Sequence, residues 1–273
     1  MLKVLKVDKI RVFIFLILIM IGLSPFAGAQ NKKIRVAHLN VGQLSLGKNS
    51  HTFIKSCERN EKKKEFKKLL KTISADIIGL CEYSPYFSLN QDETVNMQDK
   101  TDKVILKKYR YIGLSGGTDD NSFCIATKKY NLTNKIFTKY SKGKSYLSYD
   151  ICLNGFSVKV VETHLKTRKY KKDRKRQMEE LIKAFQDHSY VIICGDFNVA
   201  DVTEYDIFKG AGYALANHGT SGDLITCPSI DGGHPYDNII CKGFEISNVQ
   251  VIETNLSDHY VIICDIMINN KIN

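Results

Sequence analysis

The sequence predicts one α/β domain in which strands outnumber helices, with mixed or antiparallel sheets and helices on the outside. Three observations carry that expectation. Short apolar runs of strand length recur along most of the chain. Only two segments show clear helical spacing and a third is weaker, so strict β–α alternation is missing. No Ser-, Gly- or Pro-rich linker and no internal repeat divides the chain.

The N-terminal residues are read first as a targeting segment. Lys3, Lys6, Lys9 and Arg11 precede an uninterrupted apolar run of 12 residues from Val12 to Leu23, followed by Pro25 and Ala27-Gly28-Ala29. A basic stretch, a short apolar stretch and an A-x-A site have the form of a secretory signal peptide. The run is short for a spanning helix, which needs about 20 residues. The expectation is a signal peptide at 1–29, cleaved after Ala29, with an uncleaved anchor as the alternative. The domain then covers 30–273, and the chain is secreted or periplasmic.

The elements follow in order. Lys33–Leu39 alternates as a strand, and Glu61–Ser74 carries Phe66, Leu69, Leu70 and Ile73 at helical spacing. Ile77–Glu82 is an apolar run ending in a carboxylate, and Val95–Lys107 is a weaker helix. Strand-like segments then crowd together at Tyr109–Leu114, Phe123–Lys128, Lys135–Tyr140, Ser145–Leu153 and Phe156–Leu165. Asn154-Gly155 between the last two signals a two-residue hairpin. Lys171–Gln186 reads as a helix and Val191–Cys194 as a buried strand, and Tyr236–Lys242, Ile246–Ile252 and Tyr260–Ile268 close the chain as strands.

Of the eight cysteines, Cys81, Cys124, Cys152, Cys194, Cys241 and Cys264 sit inside strand-like runs, where a thiol behaves as a small buried hydrophobe. Cys57 and Cys227 lie in loop-like sequence and are the better candidates for a bridge. No C-x-x-C pair supports a zinc or thioredoxin-type site. The 40 basic residues against 29 acidic give a net charge of +11. Without residues 1–29 the counts are 36 and 28, so an excess of +8 remains. That excess favours acidic partners such as nucleic acid, phospholipid headgroups or phosphorylated small molecules. The ordinary composition excludes a disordered chain, a collagen-like fibre and a multi-span membrane protein.

Carboxylates, amides and imidazoles recur where apolar runs stop: Asn40, Glu82, His164, Asp196, Asn198, Asp237, Asp258 and His259. One such residue is ordinarily a cap or a turn. So many together fit a site gathered at strand ends, where α/β folds bind their ligands. His38-Leu39-Asn40-Val41, Gly79-Leu80-Cys81-Glu82, Glu162-Thr163-His164-Leu165, Gly195-Asp196-Phe197-Asn198, Tyr236-Asp237-Asn238-Ile239 and Ser257-Asp258-His259 occur in that order. This succession resembles the endonuclease/exonuclease/phosphatase superfamily, also called deoxyribonuclease I-like, over nearly all of 33–268.

The resemblance implies a four-layer α/β sandwich, two packed mixed β-sheets flanked by helices. It also implies an Mg²⁺-dependent phosphoric ester hydrolase, with Mn²⁺ as a substitute. Glu82 is then the principal metal ligand, with Asn40 and Asp258 nearby. Asp196 and Asn198 position the attacking water and a phosphate oxygen, with a two-ion site as the alternative for Asp196. His259 acts as general base or phosphate-polarising imidazole, oriented by Asp237, and His164 is the second imidazole, a general acid or a donor to a non-bridging oxygen. His38, His51, His188, His218 and His234 match no signature and are read as core or surface histidines. The chain departs from the family at Cys81, where Gln is common. The acidic partner of His164 is open, with Asp120 or Asn121 as loose candidates. Lys142 or Lys144 stands in for a phosphate-contacting Arg.

Lys166–Arg176 reads KTRKYKKDRKR, eight basic residues in eleven, beginning two residues after His164. A solvated helix face is the ordinary reading of such a run. Beside a phosphate-cleaving site it suits a polyanion or an anionic lipid surface, which makes Lys166, Arg168, Lys171, Lys172 and Arg174 candidate substrate contacts. The expected substrate is nucleic acid, cleaved by a monomeric secreted nuclease. A sphingomyelinase or phospholipase, or an inositol or sugar-phosphate phosphatase, is the alternative.

Overall fold

The computed structural model describes residues 33–42, 56–83, 107–115, 122–219, 222–229 and 232–269, the side chains from residue 64 onward in the helix that begins at Ser56. Twelve strands are described: β1 (Ile34–Asn40), β2 (Ile77–Cys81), β3 (Tyr111–Leu114), β4 (Phe123–Thr127), β5 (Thr133–Lys139), β6 (Ser145–Leu153), β7 (Phe156–His164), β8 (Val191–Asp196), β9 (Tyr213–Leu215), β10 (Asp237–Lys242), β11 (Phe244–Ile252) and β12 (Val261–Ile268). Three α-helices accompany them: α1 (Ser56–Ile73), α2 (Lys171–Ala184) and the short α3 (Asp206–Gly210).

The strands form two six-stranded sheets, ordered β11-β12-β1-β2-β4-β3 and β5-β6-β7-β8-β10-β9. Each sheet holds one parallel pair, β1 with β2 and β7 with β8, and is otherwise antiparallel. Both sheets are therefore mixed, as the missing β–α alternation implies. The Asn154-Gly155 turn joins β6 to β7 with both residues at positive φ, 51° and 87°, the geometry that matches strand twist in a two-residue hairpin.

Strand alternation sorts the apolar residues into three cores. Val36, Ile77, Phe123, Leu147, Val160, Ile192, Ile239 and Ile262 pack between the two sheets. Ala37, Leu39, Ile78 and Leu80 face the other way and meet Phe66, Leu69, Leu70 and Ile73 of α1. Val161, Ile193 and Ile240 meet Met178 and Leu181 of α2 and Phe208 of α3. The layers are helix, sheet, sheet, helix, the deoxyribonuclease I-like sandwich.

Some element limits differ from expectation. Helix α1 begins five residues before Glu61. β9 and α3 lie in sequence read as loop; β9 has three residues, too few to show an alternation. Residues 95–106 of the weaker helix lie outside the described residues, and 107–110 form a turn. Cys152 is exposed rather than buried, on the outer side of the β6–β7 hairpin, and Cys227 is a buried free thiol. The Cys57 side chain and residues 1–29 lie outside the described residues. Among the described residues no helix is long and apolar enough to cross a membrane.

Candidate active site

The site forms because the inter-sheet face changes character at one end. Val36, His38 and Asn40 alternate onto the same face of β1, as do Val158, Val160, Glu162 and His164 on β7. Ile192, Cys194 and Asp196 do the same on β8, and Asp237, Ile239 and Cys241 on β10. Each strand is apolar in the middle of the sandwich and polar at the inward position nearest this end. Register brings the ends together: His164 pairs with Asp196, and Asp237 pairs with Asp196 on the other side. Asn40 pairs with Cys81, which places Glu82 one residue beyond.

Glu82 and Asn198 have φ of 54° and 52°, left-handed geometry uncommon for such residues and concentrated at functional sites. Asn198 is held by its backbone N–H donating to Asp196 Oδ1 at 2.9 Å and its side-chain amide donating to Leu165 O at 3.1 Å. Asn40 Nδ2 donates to Glu82 Oε1 at 3.2 Å and to Asp196 Oδ2 at 3.1 Å, while its Oδ1 accepts from Gly42 N at 2.9 Å. One amide thus spaces two carboxylates. His164 stands against the same pair, Nδ1 at 3.5 Å from Glu82 Oε1 and Nε2 at 3.5 Å from Asp196 Oδ2. Lys144 Nζ approaches its ring nitrogens at 3.3 and 3.4 Å.

His259 Nδ1 donates to Asp237 Oδ2 at 2.7 Å, and its Nε2 points toward Asp196 Oδ2, 3.8 Å away. Ser257 fixes the approach of this histidine: its hydroxyl accepts from His259 N at 3.1 Å and donates to Asn40 O at 2.7 Å. Asp258 Oδ1 lies 3.2 Å from Ser257 Oγ and backs onto Gly42, where a Cβ would strike it.

Burial sets the charges. It raises the Glu82 carboxyl to about 7, only partly opposed by the Asn40 amide. Burial also raises Asp196, against the pull of His259. Burial alone would lower His259, but the Asp237 carboxylate outweighs it and holds the ring well above the usual histidine range. Asp237, flanked by His259 and His38, overcomes its own burial and stays below the usual carboxylate range. Two acids raised by burial and spaced by one amide make a donor set suited to a hard divalent cation. Glu82 would supply the principal carboxylate oxygen, with Asp196 a second donor in a two-ion site.

The residues expected to bind substrate divide. Lys172 is exposed on α2, and Lys171 is exposed and pairs with Asp201 at 3.2 Å. Lys166 lies over the Tyr170 ring at 5.4 Å from its centroid. Arg168 reaches His234 Nε2 at 3.2 Å, and His234 stacks on Tyr236 next to Asp237. Arg174 is a correction. It is 1% exposed, and its guanidinium donates to both oxygens of Glu204 at 2.7–3.0 Å. It also donates to Thr167 O at 2.9 Å and Lys166 O at 3.4 Å, so no donor is left for substrate.

His38 is a core histidine as expected, fully buried, and it lies beside the Asp237–His259 pair, its Nε2 3.0 Å from Asp237 Oδ1 and its Nδ1 2.9 Å from Glu162 Oε1. The signal available for it is the shared strand face with Asn40, two residues on. His218 is buried against Asp223 at 2.6 Å, outside the candidate site. Asp120 and Asn121 lie outside the described residues.

No family model matches the chain, and no curated protein matches it. Solved structures resemble it. D. rerio TDP2 complexed with single strand DNA product matches with a TM-score of 0.66 at 15% identity, covering 86% of this chain and 99% of that one. An endonuclease/exonuclease/phosphatase from Beutenbergia cavernae matches at 0.62 and 12% identity, covering 87% and 72%. Sphingomyelinase C from Streptomyces griseocarneus matches at 0.58 and 15% identity, covering 86% and 99%. These are members of the endonuclease/exonuclease/phosphatase superfamily, and the chain shares their fold.

Proposed function

We propose that this chain is a secreted, monomeric, Mg²⁺-dependent phosphoesterase that hydrolyses phosphodiesters of nucleic acid. The observation that carries the reading is the meeting of Glu82, Asp196, Asn40, Asn198, His164 and the Asp237–His259 pair at one end of the inter-sheet layer. Phosphoryl transfer needs negative charge offset on phosphate oxygens and a water held in line. A divalent cation, Mg²⁺ or Mn²⁺, held by Glu82 with Asn40 and Asp258 nearby, would supply charge stabilisation for the phosphate.

The chain's own residues do the rest. His259, kept protonated by Asp237, donates from Nε2 to a non-bridging oxygen. Asp196 lies 3.8 Å from that nitrogen, placed to accept a proton from the attacking water, and the Asn198 amide orients it. His164 would give its proton to the leaving oxygen as that oxygen's bond to phosphorus breaks, and Lys144, beside it, would donate to a non-bridging oxygen. The basic run after His164 supports a polyanionic substrate, as does the single strand DNA product held by D. rerio TDP2. The signal-like residues 1–29 support export.

The test is purified protein with Mg²⁺ against plasmid DNA, RNA, sphingomyelin and inositol phosphates. Cleavage of DNA or RNA that stops in chelator is expected. Hydrolysis of sphingomyelin alone would transfer the site to a lipid headgroup, the substrate class named for the Streptomyces structure. Undiminished activity in excess chelator would remove the metal from the reading.

A further inference from the structure

Two buried residues outside the expected site complete a chain of contacts through it. His38 and Glu162 sit one inward position deeper than Asn40 and His164 on β1 and β7, and both are 0% exposed. Glu162 crosses from the second sheet to the first because Gly79 leaves it room: a Cβ there would overlap Glu162 Oε2. His38 bridges Glu162 and Asp237, and Asp237 in turn holds His259. The described contacts therefore run Glu162, His38, Asp237, His259, in that order. Glu162 Oε1 and Oε2 receive no well-aligned hydrogen bond among the described residues, so the ion-pair contact with His38 is their charge partner.

We propose that His38 and Glu162 are positioning residues for the Asp237–His259 pair, fixing the Asp237 carboxylate so that Oδ2 faces His259 Nδ1. Hydrogen placement decides the orientation of the carboxylate. Nδ1 of His38 lies 2.9 Å from Glu162 Oε1 without a well-aligned hydrogen bond, and a buried carboxylate cannot stay uncompensated in a dry interior, so the two groups share one proton. Whether that proton sits on Nδ1 or on Glu162, Nε2 keeps its hydrogen and donates it to Asp237 Oδ1. Asp237 Oδ1 is then committed. Its backbone N–H is committed too, donating to Thr226 Oγ1 at 2.9 Å. The carboxylate has one orientation left, with Oδ2 at 2.7 Å from His259 Nδ1. His259 is held in the ring orientation that presents its Nε2–H to the reacting phosphate. Second-layer partners of this kind commonly alter activity about 10- to 100-fold when removed.

The kinetic arm rests on the function proposed above, and a spectroscopic arm does not. His38→Gln and the pair His38→Gln/Glu162→Gln, which leaves no lone charge behind, are each made in the full chain and in a His259→Ala background. Thermal melting verifies that each variant folds. With Mg²⁺ and bis(4-nitrophenyl) phosphate, kcat is expected to fall about 10- to 100-fold while KM moves by less than about twofold. In the His259→Ala background the same substitutions should change kcat by less than about twofold, because the group they position is gone.

Equal losses in both backgrounds overturn the proposal, as does an undiminished kcat in a folded variant. Histidine-ring NMR of the metal-free protein gives the independent reading. A slowly exchanging His259 Nδ1–H in the wild type that is lost in the paired variant supports the proposal, and its survival overturns it. If the wild type cleaves no phosphate ester, the function above fails and NMR still decides this point. The Cys81 thiol lies within 4.8 Å of the His38 and Glu162 ligand atoms. One equivalent of zinc lost in Cys81→Ser would replace the relay with a metal site and overturn it.

Discussion

Arg174 of α2 and Glu204 form a buried, two-pronged ion pair, with three nitrogen–oxygen contacts of 2.7 to 3.0 Å. Arg174 also closes the segment before its own helix by donating to Thr167 O at 2.9 Å. The densest charge run in the chain therefore contains a residue that belongs to the core. Removing one partner of a buried pair leaves the other charge uncompensated and costs about 3–5 kcal/mol. Arg174→Ala should lower stability on that scale, and Arg174→Met/Glu204→Met should recover most of the loss. Denaturant melts of the three proteins check this. A folded Arg174→Ala with wild-type stability would show that the pair contributes nothing.

The two raised acids predict a metal-linked pH dependence. Glu82 reaches about 7 in the fold because it is buried, against an ordinary carboxylate value of about 4.3. A raised carboxyl pKa favours the protonated folded state, so this contribution is present at low pH and lost as pH rises through about 7. In metal-free protein, Glu82→Gln should therefore be more stable than wild type at pH 8, by up to about 3 kcal/mol, and indistinguishable at pH 4. Mg²⁺ should raise the wild-type melting temperature more at pH 8 than at pH 5.5 and leave Glu82→Gln nearly unmoved. Thermal melts across that pH range, with and without Mg²⁺, provide the comparison.

The short contact between Asp237 and His259 predicts a graded loss of activity. His259→Ala removes the donor to phosphate and should lower kcat by about 10²–10⁴-fold. Asp237→Asn keeps the packing but cannot hold the ring protonated, and should cost less than the alanine change. Its pH–rate profile should also lose activity at lower pH than the wild type, because His259 no longer draws its raised proton affinity from Asp237. An unchanged profile would place the proton elsewhere.

What the sequence could and could not show follows from where each signal resides. Strands β4, β6, β8 and β12 are legible because buried runs such as Val191–Cys194 must be covered on both faces. Asn40, Glu82, His164, Asp196 and Asp237 are legible because each breaks an apolar run at its end. His38 breaks one two residues before the end, where a lone histidine is ordinarily a packed core residue. Only the cross-sheet neighbours Glu162 and Asp237 give it a task, and they are more than a hundred residues distant in sequence. Arg174 is hidden for the opposite reason. A charge run is locally uniform, and the inward positions of α2 are marked by Gln177, Met178 and Leu181, which share its buried face. β9 escapes because three residues carry no period.

The reassigned run sharpens the test of substrate class. With Arg174 in the core, the exposed cations of the run are Arg168, Lys169, Lys171, Lys172, Lys175 and Arg176. Lys171 is partly engaged with Asp201, an exposed pair of the kind worth about 1 kcal/mol or less, so a phosphate can displace it. Each phosphate neutralised on duplex DNA releases counter-ions and steepens the fall of affinity with log[salt] by about 0.9. Changing Lys169, Lys172, Lys175 and Arg176 together to Gln should raise KM on duplex DNA. The salt slope should flatten by about 0.9 for each phosphate no longer neutralised, and by about 3.6 at most for the four. Stability should hold, since all four side chains are exposed. Turnover of bis(4-nitrophenyl) phosphate should hardly change, because so small an ester does not extend along α2. Equal losses on DNA and on the small ester would mean that the run supports the site's structure and does not grip a polyanion. An unchanged salt slope on DNA, with the same four substitutions reducing hydrolysis of sphingomyelin only in vesicles that also carry an anionic lipid such as phosphatidylserine, would assign the run to an anionic lipid surface.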